Sequence, residues 1–213
     1  MTRTVVDKKI FIHRIRHMPH AKQSIQQLAD LLQGVAFRGA LQDEPAGPVR
    51  VLGMASALWD NLQEPLDLPT IEFSGDQAKF RVLPGDLIFR ARGVSNQALL
   101  VDELLQPVIV AAPLIRIRVH DRQQVDPAYL QWVLNSGPVQ RAIDAIAKGT
   151  IVRMVTVSSL RDLVIPLPPM AVQQQIAAFA RLQKEEQQLS AALIAKRQTV
   201  AEQVLWAKAQ EVR

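Results

Sequence analysis

AKGTIVRMVTVSSLRDLVIPLPPMAVQQQIA, residues 147–177, is the stretch on which the architecture turns. Its first half holds a short β-rich piece, TIVRMVTV, preceded by Gly149; from Ser158 or Ser159 a turn leads into RDLVIPLPP. Pro166, Pro168 and Pro169 then impose an extended lead, because proline has no N–H to give a helix and holds the residue before it out of helical conformation. After Pro169 neither Gly nor Pro occurs from 170 to 213, and Ala, Gln, Glu, Lys, Arg and Leu dominate, all strong helix formers. One continuous helix is expected there, on the order of 65 Å long at 1.5 Å per residue. A globular unit (1–168) is thereby set against a rod (169–213).

The rod carries an apolar stripe of Ile176, Phe179, Leu182, Leu189, Leu193, Val200 and Val204, with coiled-coil-like spacings of threes, fours and sevens. Glu186 and Lys196 interrupt it, which predicts a short antiparallel pairing or packing onto another protein rather than a long zipper. Trp206, further along, is a candidate partner contact.

Working back toward the N-terminus, residues 107–120 (PVIVAAPLIRIRVH) alternate clearly in LIRIRV, as a half-buried strand should. RVLG (50–53), AKFRVL (78–83), DLIFRAR (86–92) and ALLVDEL (98–104) are further short apolar runs between Pro and Gly, so residues 35–125 form a β-rich middle. DPAYLQWVLNSGPVQRAIDAIAKG (126–149) predicts two helices, one started by Asp126-Pro127 and one after the Gly137-Pro138 break. Ser24 begins SIQQLADLLQG, whose Ile25, Leu28, Ala29 and Leu32 fall at helical spacing, with Gln27 completing a capping-box pattern and Gly34 ending it. Residues 1–23 are a basic lead-in in which a strand is plausible. The fold class is α+β: a β-rich domain with flanking helices, followed by a long helix of coiled-coil type.

Composition bounds what such a chain can do. The 213 residues are 48% hydrophobic, enough for a proper core. Neither a signal-peptide pattern nor a run of about 18 apolar residues occurs, so a soluble, cytoplasmic protein without a membrane partner is expected. The zero cysteines exclude disulfides and thiolate metal sites. With 25 Lys and Arg against 20 Asp and Glu, a net charge of +5 and a pI near 9.9, long-range attraction favours a polyanion.

The succession GDLIFRARG (85–93), YLQWVLNS (129–136) and then the opening stretch resembles the latter half of a target recognition domain from a type I restriction-modification specificity (S) subunit. SIQQLADLLQGVAFRG (24–39) is similar to that family's opening helix and Gly-x-x-Phe turn, so the resemblance covers residues 24–213. It implies a sequence-specific double-stranded DNA reader on a spacer helix. That reader directs a methyltransferase and endonuclease to a split site, with methyltransferase (M) subunits as partners and the restriction subunit as a further candidate. Family members usually carry two recognition domains and two spacer helices, whereas one of each is present here. A half-subunit forming a homodimer through its long helix is the simplest resolution, with a fragment of a longer subunit or a single-domain subunit of another defence assembly as alternatives, and a role in phage defence follows from the family.

Base readout requires fork donors and amides, while phosphate contacts use cations, hydroxyls and backbone N–H groups. Arg90, Arg92, Ser95, Asn96 and Gln97 lie within eight residues, with Gly93 free to turn tightly. Lys148, Thr150 and Arg153 flank Gly149 in a placement suited to a phosphate, although Lys148 serves equally as a cation at a helix C-terminus. Lys79 and Arg81 alternate with Phe80 and Val82, which puts both charges on one face of a predicted strand; a merely solvated face explains them as well. Arg116 and Arg118 share that ambiguity and rank lower. His13, His17 and His20 have helical spacing, but Pro19 breaks the helix and no acidic residue completes a site, so no metal is expected.

Catalytic readings find little support. No GxxxxGK[ST] loop is present, nor the Gly-rich cofactor loop and Asn/Asp-Pro-Pro-aromatic motif of an amino-methyltransferase; in IEFSGDQAKF, Asp76 is three residues from Lys79 where a nuclease pattern needs two. The chain is read as a non-enzyme with no cofactor. A non-catalytic adaptor that docks a protein partner on its long helix is the alternative.

Overall fold

The computed structural model describes residues 21–38, 43–44, 47–54, 68–93, 95–102, 107–149 and 153–210. In chain order the first elements are β1 (Ala21–Ser24), α1 (Ile25–Leu28), β2 (Ala29–Gln33), β3 (Val49–Leu52), β4 (Thr70–Ile71), α2 (Gln77–Phe80), β5 (Leu87–Arg90) and β6 (Ala98–Leu100). They are followed by β7 (Val108–Val110), β8 (Leu114–Val119), α3 (Pro127–Asn135), α4 (Gly137–Ile146), α5 (Val157–Arg161), β9 (Val164–Leu167) and α6 (Met170–Gln210).

The alternating LIRIRV strand, β8, organises the molecule. It lies inside an antiparallel sheet of order β2-β8-β5-β6, pairing Leu31 with Ile117 on one side and Leu87 with Ile117 on the other. Because successive side chains point to opposite faces, Ile115, Ile117 and Val119 join Leu87 and Phe89 against Tyr129, Leu130, Val133 and Ile143 of α3 and α4. Leu114 turns the other way, with Ile88 and Leu99, onto Leu52, Val108 and Val110 of a smaller sheet, β4-β3-β7, in which β3 and β7 run parallel. Three layers result: helices, main sheet, small sheet. The outer face of the small sheet is closed by Phe37, Phe73 and Phe80. Gly34 carries the chain from one sheet to the next, where a Cβ would sit 2.5 Å from the carbonyl carbon of Ala111.

Three sequence expectations change in this frame. The helix expected over SIQQLADLLQG lasts one turn, from the capping box of Ser24 and Gln27, and gives way to β2. Ile25, Leu28, Ala29 and Leu31 are all buried, a set that one turn plus a strand satisfies as well as a helix, and β8 offers an edge to pair with. The strand expected over AKFRVL begins instead as α2, because the Asp76 side chain caps it by accepting from the Lys79 N–H at 3.0 Å. From the turn expected at Ser158 or Ser159 the structure makes α5, capped by Thr156, and TIVRMVTV contributes only bridges at Met154 among its described residues.

Where the prolines hand over to α6, globular unit and rod are joined by buried polar groups. Tyr129 donates its hydroxyl to the Pro166 carbonyl at 2.7 Å. Gln173, in the first turn of α6 and 1% exposed, donates to the carbonyls of Pro168 (2.8 Å) and Gln124 (3.0 Å) and accepts from the Asp126 N–H (3.0 Å). Asp126 is itself the N-cap of α3. Ile176 packs against the core of the globular unit, which removes it from the free partner-facing stripe where its spacing had placed it. Beyond Ala180 every described residue of α6 is exposed. Among the described residues no helix is long and apolar enough to cross a membrane.

Candidate nucleic-acid interface

The chain leaves β5 as Arg90-Ala91-Arg92, still extended. Arg92 forms an antiparallel bridge with Met154, which forms a second with Lys148, and Val155 donates to the Ala91 carbonyl at 2.8 Å. Directly opposed residues in antiparallel pairing point to the same face, so Arg92, Met154 and Lys148 stand side by side, all exposed. Two cationic clusters more than fifty residues apart in sequence thus become one surface. Gly93 follows at φ 125°, a conformation that side-chain-bearing residues rarely adopt, and Gly149 takes φ 112°.

The polar residues of the loop divide into those that face outward and those that hold it. Gln97 is exposed, and its carbonyl accepts from the Arg90 N–H at 2.8 Å; Ser95 and Arg90 are half-buried. Asn96 is buried at 4% exposure and donates its amide to the Arg90 carbonyl at 2.8 Å. Its expected role in base readout is corrected accordingly: the side chain braces the loop from inside. Gln140 of α4 completes the brace by donating to the Asn96 and Leu134 carbonyls, at 2.8 and 2.7 Å. Asn135 occupies the free edge of β6, accepting from the Ala98 N–H (2.9 Å) and donating to the Ala98 carbonyl (2.8 Å).

Arg153 is exposed and donates to the Asp144 carbonyl at 2.7 Å, which holds it beside the end of α4. Thr150 and the three histidines lie outside the described residues. Lys79 and Arg81 are exposed but belong to a different region. Lys79 lies 5.4 Å over the Phe80 ring, and the Arg81 carbonyl accepts from Arg116 (2.9 Å) and Arg118 (3.0 Å). That places them near the start of β5, about 20 Å along an extended chain from Arg92 at roughly 3.3 Å per residue.

The ambiguity of Arg116 and Arg118 resolves toward structure. Arg118 forms a bidentate pair with the buried Asp86, both bonds 2.7 Å, and this bonding raises its pKa. Burial first, and then the neighbouring Arg118, lowers that of Arg116, which donates to the Lys79 and Arg81 carbonyls at the end of α2. Alternation in LIRIRV located these arginines on one face; the Asp86 that receives one of them is 32 residues away in sequence, and nothing in the local pattern signals the pairing.

No family model matches the chain, and no curated protein matches it. Solved structures do. The chain is similar to the S subunit of a type I restriction-modification system from M. genitalium, at 21% identity and a TM-score of 0.57 over 84% of this chain and 42% of that one. A structure described as the basis of complex assembly and conformational transition of the type I R-M system matches at 18% identity and a TM-score of 0.61, over 87% and 43% of the two chains. The HsdS subunit from Thermoanaerobacter tengcongensis matches at 20% and 0.55, over 80% and 38%. This chain therefore has the fold of these S subunits, and it spans about two fifths of their length.

Proposed function

We propose that this protein is a non-catalytic specificity component that binds double-stranded DNA and directs a type I methyltransferase and endonuclease to a split site. Arg92 and Lys148, with Arg90, Ser95, Gln97 and Arg153 around them, form its DNA surface. The outward seam of α6 meets a second copy of the chain, and the same helix offers a face to M subunits. The observation that carries this reading is the pairing of Arg92, Met154 and Lys148 across two bridges, in a reader whose fold is that of S subunits. Adjacent cations on a braced backbone suit phosphates, and the Arg90–Gln97 loop beside them presents the side-chain types that read base edges.

Titration with duplex DNA at two salt concentrations, with and without a type I M subunit, tests it. Binding should weaken steeply with salt. Arg92→Ala and Lys148→Ala should each flatten the salt slope by about one unit, as loss of one phosphate contact does. Lys79→Ala, in the other region, should leave the slope unchanged. Salt-insensitive binding to the M subunit without DNA affinity would instead favour the adaptor reading.

A further inference from the structure

The exposed seam of α6 contains a charge pattern that selects one pairing geometry. In heptad terms its core positions are Phe179, Glu186, Leu193 and Val200 at a, and Leu182, Leu189, Lys196 and Gln203 at d. Leu189 and Leu193 are 72% and 51% exposed, and Phe179, Leu182 and Val200 are each more than half exposed. A seam of this length left in water calls for a cover, and its two charged interruptions say which one.

Taking antiparallel pairing of α6 with a second copy as the premise, we propose the register, which sets Glu186 against the partner's Lys196. This inference rests on the two-copy reading above and specifies its geometry. With Glu186 opposite the partner's Lys196, two-fold symmetry also sets Lys196 opposite the partner's Glu186. Leu189 then faces the partner's Leu193, Leu182 the partner's Val200, and Phe179 the partner's Gln203. Every layer joins an a position to a d position, as antiparallel coiled coils require. Ser190 and Ala192, which flank the symmetry axis, are small enough for the helices to approach closely.

Competing alignments fail on the same charges. A parallel in-register pair puts Glu186 against the partner's Glu186 and Lys196 against the partner's Lys196. Sliding the antiparallel pair by one heptad sets Glu186 against the partner's Leu189 or Gln203, and Lys196 against the partner's Phe179 or Leu193. Each slip leaves charges unpaired in the seam. A polar residue at a core position lowers stability but specifies register, and two complementary ones specify direction as well.

The chain has no cysteine, so single-cysteine variants report register directly. Leu189→Cys and Leu193→Cys chains, mixed and oxidised, should give a disulfide-linked pair with one chain of each kind and little self-linkage. Self-linkage as strong as cross-linkage, or no linkage in a dimer established by light scattering, would overturn the register and leave the two-copy reading standing. A monomer at every concentration used would overturn both. Independently, Glu186→Lys or Lys196→Glu should raise the dimer dissociation constant about tenfold, and the double variant should return it to within about threefold of the parent. Single swaps without effect would indicate parallel or shifted pairing and refute the proposal.

Discussion

Asp86 shows how one buried carboxylate organises a region that composition would describe only as basic. β8 presents Arg116 and Arg118 on a single face, and their mutual repulsion is offset by Asp86, which is 1% exposed and also accepts from the Leu83 N–H at 2.8 Å. Asp86→Asn keeps the shape and removes the charge, leaving two guanidiniums over α2 without their anion. The expected cost is about 2–4 kcal/mol, below the usual range for breaking a fully buried pair because Arg118 is about a third exposed; urea unfolding measures it. Tyr129 supplies a second test at this scale. It is the only tyrosine in the chain, and burial pushes its pKa up to about 12 from 10.0. A raised folded pKa means that the contribution to stability is complete below pH 10 and is lost as pH climbs from 10 to about 12. Ultraviolet titration of the folded protein should show a single phenol ionising near the upper value. Tyr129→Phe should abolish the decline in that window and cost about 1 kcal/mol at neutral pH, from the lost bond to Pro166.

At the scale of elements, the joint between reader and rod depends on Gln173. Its amide satisfies two carbonyls and one N–H contributed by two segments, the turn before α3 and the proline lead. Gln173→Leu should therefore leave three backbone groups without their partner, the Pro168 carbonyl among them in a buried place, cost on the order of 1–3 kcal/mol, and expose the Pro166–Pro169 lead to limited proteolysis. The prolines and the uninterrupted run after them made this joint legible in sequence, as LIRIRV did for the central strand, because both signals are local. SIQQLADLLQG misled because its capping box is real for one turn, after which Ala29 and Leu31 are buried equally well by pairing with β8. The site was legible in parts. Gly93 and its flanking arginines stood out, yet the apposition of Arg92 and Lys148 depends on Met154 bridging both, and the backbone at Asn96 is held by Gln140 from 44 residues away, neither of which any local periodicity encodes.

For the whole molecule, the question is what the rod adds to the reader. Ile176 packs against the reader core, and beyond Ala180 the described part of α6 is exposed throughout, so the reader's stability should not depend on most of the helix. Ending the chain after Gln183 is expected to leave the globular unit's thermal midpoint unchanged while abolishing the proposed dimer. If Arg92 and Lys148 form the DNA surface as proposed, its affinity for a single half-site should stay the same, since both are untouched. On a DNA carrying both half-sites at the correct separation, affinity should fall by about 10²–10⁴-fold, the gain that tethering provides when geometry permits both sites to be engaged. The comparison separates two roles for α6: equal losses on single and paired half-sites would mean that the helix supports the reader itself, whereas a loss confined to the paired site would mean that it acts by holding two readers at a set distance. The buried bonds of Gln173 in the first turn and the register proposed for the seam beyond it favour the second role, because a spacer can fix a distance only if its angle at the globular unit and its register at the centre are both fixed.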